Sequence, residues 1–398
     1  MQKSDEEKLE KTYRKNTVLI ILIGIVGVSF GLLDWDSNLV DLFYLKYNNA
    51  FLVSIISANI GTARLLATLF CIRINTSKKP NFVFITCMIL CSLFAIISAI
   101  CFNLQFIIMF VIVYLIEVLL LEVFSGYHYA YAYNSLPEEQ AMNAHSKRIS
   151  VFKVMSAVGI ACAGFICGKY INSAFLIISI LAIIIFGIAI IMVKQVRNYP
   201  KINDEERENL LKRINIFKYT PYFRKWFSVR IIERFALASL IVLLSLKAID
   251  SGQSIGTLKT IKTFEFILSG IGFFLAGYFI RKKLIVKGDI ILKIIIALLI
   301  PITFMKPFIV LVIILLYGIL ESFNSMSQLE MLRKDSDSIN LPQKDMVINL
   351  AGYVAKMLSA YILININMNI ALIIIVILLI LSTILELMLY KSKKETSN

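Results

Sequence analysis

The sequence predicts an all-α polytopic membrane protein, with 12 transmembrane helices in two pseudo-symmetric six-helix bundles. Two observations lead to this fold class: a very apolar composition, and basic segments that recur between apolar runs. Of 398 residues, 59% are hydrophobic and 17% are charged, and the mean hydropathy is +0.80. Soluble domains are usually about 45 to 50% apolar and about 25% charged. The chain therefore belongs in a membrane and has no room for a large soluble domain.

Twelve apolar runs are long enough to cross a bilayer, which takes about 20 residues of helix. The first six precede a polar stretch and the last six follow it. Their approximate ranges are 17–45, 50–72, 81–102, 105–133, 149–170, 173–193, 226–248, 256–280, 288–305, 308–332, 346–364 and 368–390.

Orientation follows from the basic residues, because short cytoplasmic loops retain Lys and Arg. With a cytoplasmic N-terminus, 29 of the 41 basic residues fall in cytoplasmic segments, and four fall in external connections. We therefore expect a multi-pass protein of the cell membrane with both termini in the cytoplasm. The net charge of +15 reflects this orientation and does not indicate a nucleic-acid surface.

The predicted organisation has five parts. A cytoplasmic tail (1–16) precedes the N-terminal bundle (17–195), and a basic cytoplasmic linker (196–225) leads to the C-terminal bundle (226–390) and a short tail (391–398). The two bundles also resemble each other in sequence. The segment 121–125 in span 4 matches 320–324 in span 10, and 153–157 in span 5 matches 356–360 in span 11. Two six-helix repeats in the same orientation are typical of one large transporter class.

These features resemble the major facilitator superfamily over nearly the whole chain. Within it, short segments resemble the twelve-span drug:proton antiporters of the macrolide-efflux type. These segments are 43–45 at the end of span 1, 134–140 after span 4, and Phe323, Asn324, Ser325 and Gln328 in span 10. This resemblance implies alternating access, efflux of an amphiphilic drug, peptide or other small molecule, antibiotic resistance, and a proton gradient as the energy source. We expect no bound cofactor and a monomer in the lipid bilayer.

Three departures from the superfamily pattern weaken the proton-coupling expectation. The loop between spans 2 and 3, 73–79, keeps its basic end but lacks the usual glycine and aspartate. Glu117 stands where an arginine of span 4 is expected, and the glycines of span 5 lack the accompanying proline.

Charges inside the spans are the best pointers to a functional site, because each costs about 2.5 to 3.5 kcal/mol on insertion scales. We expect one or more of them to line a substrate or proton pathway, and Arg64 to pair with Glu117 or with an aspartate of span 1. A carboxyl in a cavity could exchange protons or hold a cationic substrate. The alternative is a structural ion pair together with solvated aspartates near the outer surface. The candidates are Asp34, Asp36, Arg64, Glu117, Glu122 and Glu321.

Two further groups could take part. Tyr127, in an aromatic stretch of span 4, could stack against an aromatic or cationic substrate, although an interfacial aromatic belt is the alternative. Arg230, Glu233 and Arg234 at the start of span 7 have the spacing of a gate salt bridge. A solvated helix end is the commoner explanation for such a trio.

Other classes fit less well. The segment 163–170 lacks the first Gly and the final Ser or Thr of a phosphate loop, so a pump driven by ATP is not expected. The two histidines are not accompanied by a nucleophile motif, so an enzyme is not expected either. A channel is disfavoured because the sequence shows neither the repeated pore loops nor the rings of charged residues that channels use. Two alternatives to efflux remain: import of a nutrient or metabolite, and a non-transporting receptor on the same scaffold.

Overall fold

The structure is a computed structural model, which describes residues 17–33, 40–74, 80–135, 138–170, 173–193, 219–281, 284–333 and 341–395. Within these ranges some side chains, among them those of 123–145, lie outside the description. All the regular structure in the described part is helical. Its thirteen helices are α1 (Thr17–Leu32), α2 (Val40–Tyr47), α3 (Ala50–Ile74), α4 (Pro80–Asn103), α5 (Ile107–Ser135), α6 (Glu138–Lys169), α7 (Ala174–Val193), α8 (Pro221–Asp250), α9 (Ile255–Arg281), α10 (Ile285–Ile302), α11 (Ile309–Arg333), α12 (Leu341–Leu363) and α13 (Met368–Glu395).

The helices follow the predicted apolar runs, with one difference at span 1. The run 17–45 contains two helices, α1 and α2, and the residues between them, 34–39, lie outside the described ranges. In the rest of the chain each predicted span contains one helix, α3 to α13. The prediction of an all-helical protein is confirmed for the described residues.

Seven helical stretches in the described part are long and apolar enough to cross a membrane, and they coincide with predicted spans 2, 3, 5, 6, 10, 11 and 12. Helices α8 and α10, which carry the buried residues Arg230, Glu233, Asp289 and Lys293, are not among them. Large apolar side chains are exposed on the helix surfaces, as a lipid environment requires. Examples are Leu93, Phe165, Ile184, Ile191, Leu298, Ile377 and Met388. The chain is therefore a multi-pass membrane protein.

The chain folds into two compact units. Unit 1 comprises the described residues within Met1–Leu39, Thr62–Glu206 and Lys262–Phe274, and unit 2 those within Val40–Gly61, Arg207–Ile261 and Leu275–Asn398. In unit 1, α1 packs against α6 and α7, and α4 packs against α5 and α7. In unit 2, α8 packs against α12 and α13, and α10 packs against α11 and α13.

Local signals explain individual helix ends. Thr220 caps α8: its hydroxyl accepts a hydrogen bond from the backbone N–H of Phe223 at 3.1 Å, and Pro221 occupies the first helical position. Both residue types are favoured at these positions, because the cap satisfies a free N–H and proline lacks one.

Close contact between α1 and α6 depends on small residues. A Cβ added to Gly31 would collide with the backbone of Ser156, and one added to Gly159 would collide with the backbone of Val28. A similar close approach occurs at Gly270 of α9, where an added Cβ would lie 2.7 Å from the side chain of Val154 and 3.1 Å from the backbone oxygen of Ser150 on α6.

We expect Gly31→Ala to destabilise the protein by about 1 to 3 kcal/mol, because overpacking forces backbone shifts that outweigh the better helix propensity of alanine. The matched control is Gly187→Ala on α7, where an added Cβ meets nothing within 4 Å. Thermal unfolding of the purified proteins in one detergent measures both. Equal melting temperatures for the two variants would contradict the tight contact between α1 and α6.

Candidate functional site

Five charged side chains meet in the interior of unit 2. Arg230 and Glu233 lie on α8, Asp289 and Lys293 on α10, and Glu386 on α13. The side chains of all five are 0% exposed. We call these five residues the buried charge cluster.

Lys293 lies at the centre of the buried charge cluster. Its Nζ is 2.6 Å from Oε2 of Glu386, 2.8 Å from Oε1 of Glu233 and 2.8 Å from Oδ2 of Asp289. The second cation, Arg230, donates from Nη1 to Oε2 of Glu233 at 2.6 Å, and its Nη2 lies 3.9 Å from Oε1 of Glu386. Two cations thus compensate three carboxyl groups.

Polar residues of α11 add hydrogen bonds to the buried charge cluster. The Asn324 amide donates to Glu233 and, at 3.3 Å, to Oδ1 of Asp289. The hydroxyl of Ser327 accepts from Arg230 at 3.3 Å and donates to Oε1 of Glu386 at 3.4 Å. These contacts reduce the cost of burying the charges, since a buried ion pair is tolerated when its remaining polar atoms find partners.

Helix spacing explains why these side chains converge. Residues three or four apart share one helix face, and this relation holds for Arg230 with Glu233, for Asp289 with Lys293, and for Asn324 with Ser327. Each of α8, α10 and α11 therefore presents two polar groups to the same point. Trp226, one turn before Arg230, places its ring 4.2 Å from the guanidinium carbon and closes the apolar side of the buried charge cluster.

The structure corrects the expectation of a solvated helix end at the start of span 7. Arg230 and Glu233 form an ion pair, as their spacing predicted, but both side chains are fully buried. Arg234 is half-buried and donates to the side-chain oxygen of Gln328 at 3.2 Å. Whether this trio acts as a gate stays a prediction.

In unit 1, Arg64 pairs with Glu122 and not with Glu117. Nε of Arg64 lies 2.7 Å from Oε1 of Glu122, and the two side chains are 33% and 12% exposed. The expected pairing with Glu117 is therefore wrong, whereas Asp34 and Asp36 lie outside the described residues, so the pairing with an aspartate of span 1 stays a prediction. Glu117 and Glu122 are five residues apart, which places them about 140° apart around α5, so one guanidinium does not meet both.

Glu117 is buried without compensation. It is 0% exposed, and within the described part of the chain neither carboxyl oxygen has a partner at hydrogen-bond geometry, although the Ser98 hydroxyl lies nearby. The thiol of Cys91 donates a hydrogen bond to the backbone carbonyl of Glu117 at 3.7 Å, and not to the side-chain carboxyl.

The remaining predicted site residues are Glu321, Asp34, Asp36 and Tyr127. Glu321 is half-buried on α11. Asp34, Asp36 and the side chain of Tyr127 lie outside the described residues, so their roles remain predictions.

The buried charges that the sequence reasoning missed include Asp41, Asp289, Lys293 and Glu386. Asp41 pairs with Lys259 of α9 at 2.7 Å, and both are buried. All four lie within predicted spans, so they meet the same criterion that selected Glu117, an ionisable side chain inside a membrane span. The opposite charges of Asp289 and Lys293, four residues apart, were a further signal of a buried pair. Among the described residues no group of three or more His, Cys, Asp and Glu side chains could hold a metal ion.

The fold is shared with solved transporter structures over nearly the whole chain. The nucleoside transporter NupG is 12% identical, with a TM-score of 0.69, and the match covers 94% of this chain and 98% of that chain. A D-xylose-proton symporter is 12% identical at a TM-score of 0.69, with 93% and 96% covered. The xylose transporter XylE from E. coli is 12% identical at 0.68, with 92% and 96% covered. No family model matches the chain, and no curated protein matches it.

Removing the central cation of the buried charge cluster should destabilise the protein. We expect Lys293→Met to cost about 3 to 5 kcal/mol, because three carboxyl groups lose their shared partner in a dry interior. Lys287→Met is the matched control, since Lys287 lies exposed on the same helix. Thermal unfolding in detergent compares the two variants.

A double variant separates the loss of charge compensation from a loss of packing. Adding Glu386→Gln to Lys293→Met should restore part of the lost stability, because it removes one uncompensated charge. If Lys293→Met unfolds at the temperature of the Lys287→Met control, the buried charge cluster does not stabilise unit 2.

Proposed function

We propose that the chain is a secondary-active transporter that takes up a small polar solute by alternating access, driven by a proton gradient. The observation that carries this proposal is the fold, which matches a nucleoside transporter and a D-xylose-proton symporter from end to end. Both are solute transporters by name, and a shared arrangement of helices over more than nine-tenths of the chain makes the same class of activity the best proposal here.

The buried charges support a transporter over an inert scaffold. Ionisable side chains inside a membrane are costly and usually mark a substrate, ion or proton pathway. Unit 2 buries the whole charge cluster, and unit 1 buries Glu117. A receptor that never moves solute would have less reason to carry these costs.

Uptake accounts for the structure better than efflux of an amphiphile. The span 10 residues that resemble drug antiporters have roles inside unit 2. The Phe323 ring lies 4.9 Å from that of Phe279, and Asn324 hydrogen-bonds to two carboxyls of the buried charge cluster. Phe43, in the segment that closes span 1, is buried, and its ring centroid lies 4.8 Å from that of Tyr47. These residues are therefore explained without a drug-binding surface.

Flux through reconstituted protein tests this function. The full chain is placed in liposomes with an acidic exterior, and radiolabelled pentoses and nucleosides are offered one at a time. We expect at least one of them to accumulate above its outside concentration, and a protonophore to abolish the accumulation. Protein-free liposomes are the control.

Other outcomes would contradict uptake. If none of these solutes enters, while a preloaded amphiphilic cationic dye leaves under the same gradient, the protein is a drug antiporter. If neither class of probe moves, the transporter proposal fails.

A further inference from the structure

One buried acid in unit 1 differs from the other carboxyls described above. Each carboxyl of the buried charge cluster lies within 2.8 Å of a Lys293 or Arg230 nitrogen, and Glu122 lies 2.7 Å from Arg64. Glu117 is equally inaccessible to solvent, yet within the described residues no cation lies at ion-pair distance from it and neither of its oxygens accepts a hydrogen bond.

Among the described residues, the groups near the Glu117 carboxyl are uncharged. Helix α4, which packs against α5, contributes the thiol of Cys91 and the hydroxyl of Ser98. The guanidinium of Arg64 on α3 is bound to Glu122.

A carboxylate in this position would be very unstable. An isolated ionised group in a low-dielectric interior loses its hydration without gaining a counter-charge, and such groups become neutral instead. The carboxyl group of Glu117 therefore carries its proton in the conformation described.

We infer that Glu117 is the proton-binding site of unit 1, and that it releases and rebinds one proton in each transport cycle. This inference rests on the proposed function for its place in a cycle. The bound proton leaves to a water molecule when another conformation admits water or a cation to the carboxyl, and the group then becomes a carboxylate. Rebinding of one proton restores the neutral acid, so charge and atoms balance without a further reactant.

Arg64 is a cation that could stabilise the deprotonated form. It is one-third exposed and held by Glu122, which lies five residues beyond Glu117, about 7.5 Å along the axis of α5. Transfer of the guanidinium from Glu122 to Glu117 would need a rotation of α5 by about 140° as well as this axial shift.

Infrared spectroscopy tests the protonation of Glu117 without any knowledge of the solute. Difference spectra of the full-length protein in lipid at neutral pH, between wild type and Glu117→Gln, should contain the C=O stretching band of one protonated carboxyl. Glu122→Gln is the matched control on the same helix, and should lack this band because Glu122 is paired with Arg64. The absence of the band in the Glu117→Gln difference would overturn the inference.

Transport tests the role of that proton. With the solute identified by uptake, Glu117→Gln should still exchange labelled for unlabelled solute across the membrane, while proton-driven accumulation falls to the equilibrium level. Accumulation as high as in the wild type would overturn the assignment to Glu117. If the wild type itself moves no solute, the proposed function fails, while the infrared band still decides whether Glu117 binds a proton.

Discussion

Electrostatic compensation in an apolar interior is the constraint on which this structure depends. Burial among packed helices removes a side chain from bulk water, so each ionised side chain needs a counter-charge and hydrogen bonds supplied by its neighbours. In unit 2 this requirement joins α8, α10, α11 and α13. Lys293 contacts carboxyls from three helices, and Asn324 hydrogen-bonds to two of these carboxyls. In unit 1 Arg64 pairs with Glu122, and Glu117 is buried without a partner among the described residues.

This contrast suggests different roles for two kinds of buried acid. A carboxyl with several cationic and amide partners is held in place, and protonating it would break those contacts. A carboxyl with no partner in the described residues can gain or lose a proton without disrupting an existing ion pair. The buried charge cluster therefore suits the organisation of unit 2, whereas Glu117 suits reversible proton binding. Tight contact at Gly31 and Gly159 gives α1 and α6 a rigid frame beside it.

Much of the fold could be predicted from the sequence, because hydropathy and basic loops report directly on membrane spans. The site could be predicted in part. The cost of intramembrane charge selected Arg64, Glu117 and Glu122, and helix spacing gave the pair of Arg230 and Glu233. Partners on different helices could not be derived, because they depend on how each helix is rotated about its axis. For that reason Glu122 was not recognised as the partner of Arg64, and Asp289, Lys293 and Glu386 were not recognised as one cluster.

The most direct test of proton-coupled transport by this chain is the reversal point of solute flow. Liposomes containing the protein are prepared with a fixed pH difference and a series of solute gradients, and the gradient at which net flow stops is recorded. Coupling to one proton predicts that each pH unit balances a solute gradient of about tenfold. Flow that always follows the solute gradient, at every pH difference, would contradict the account.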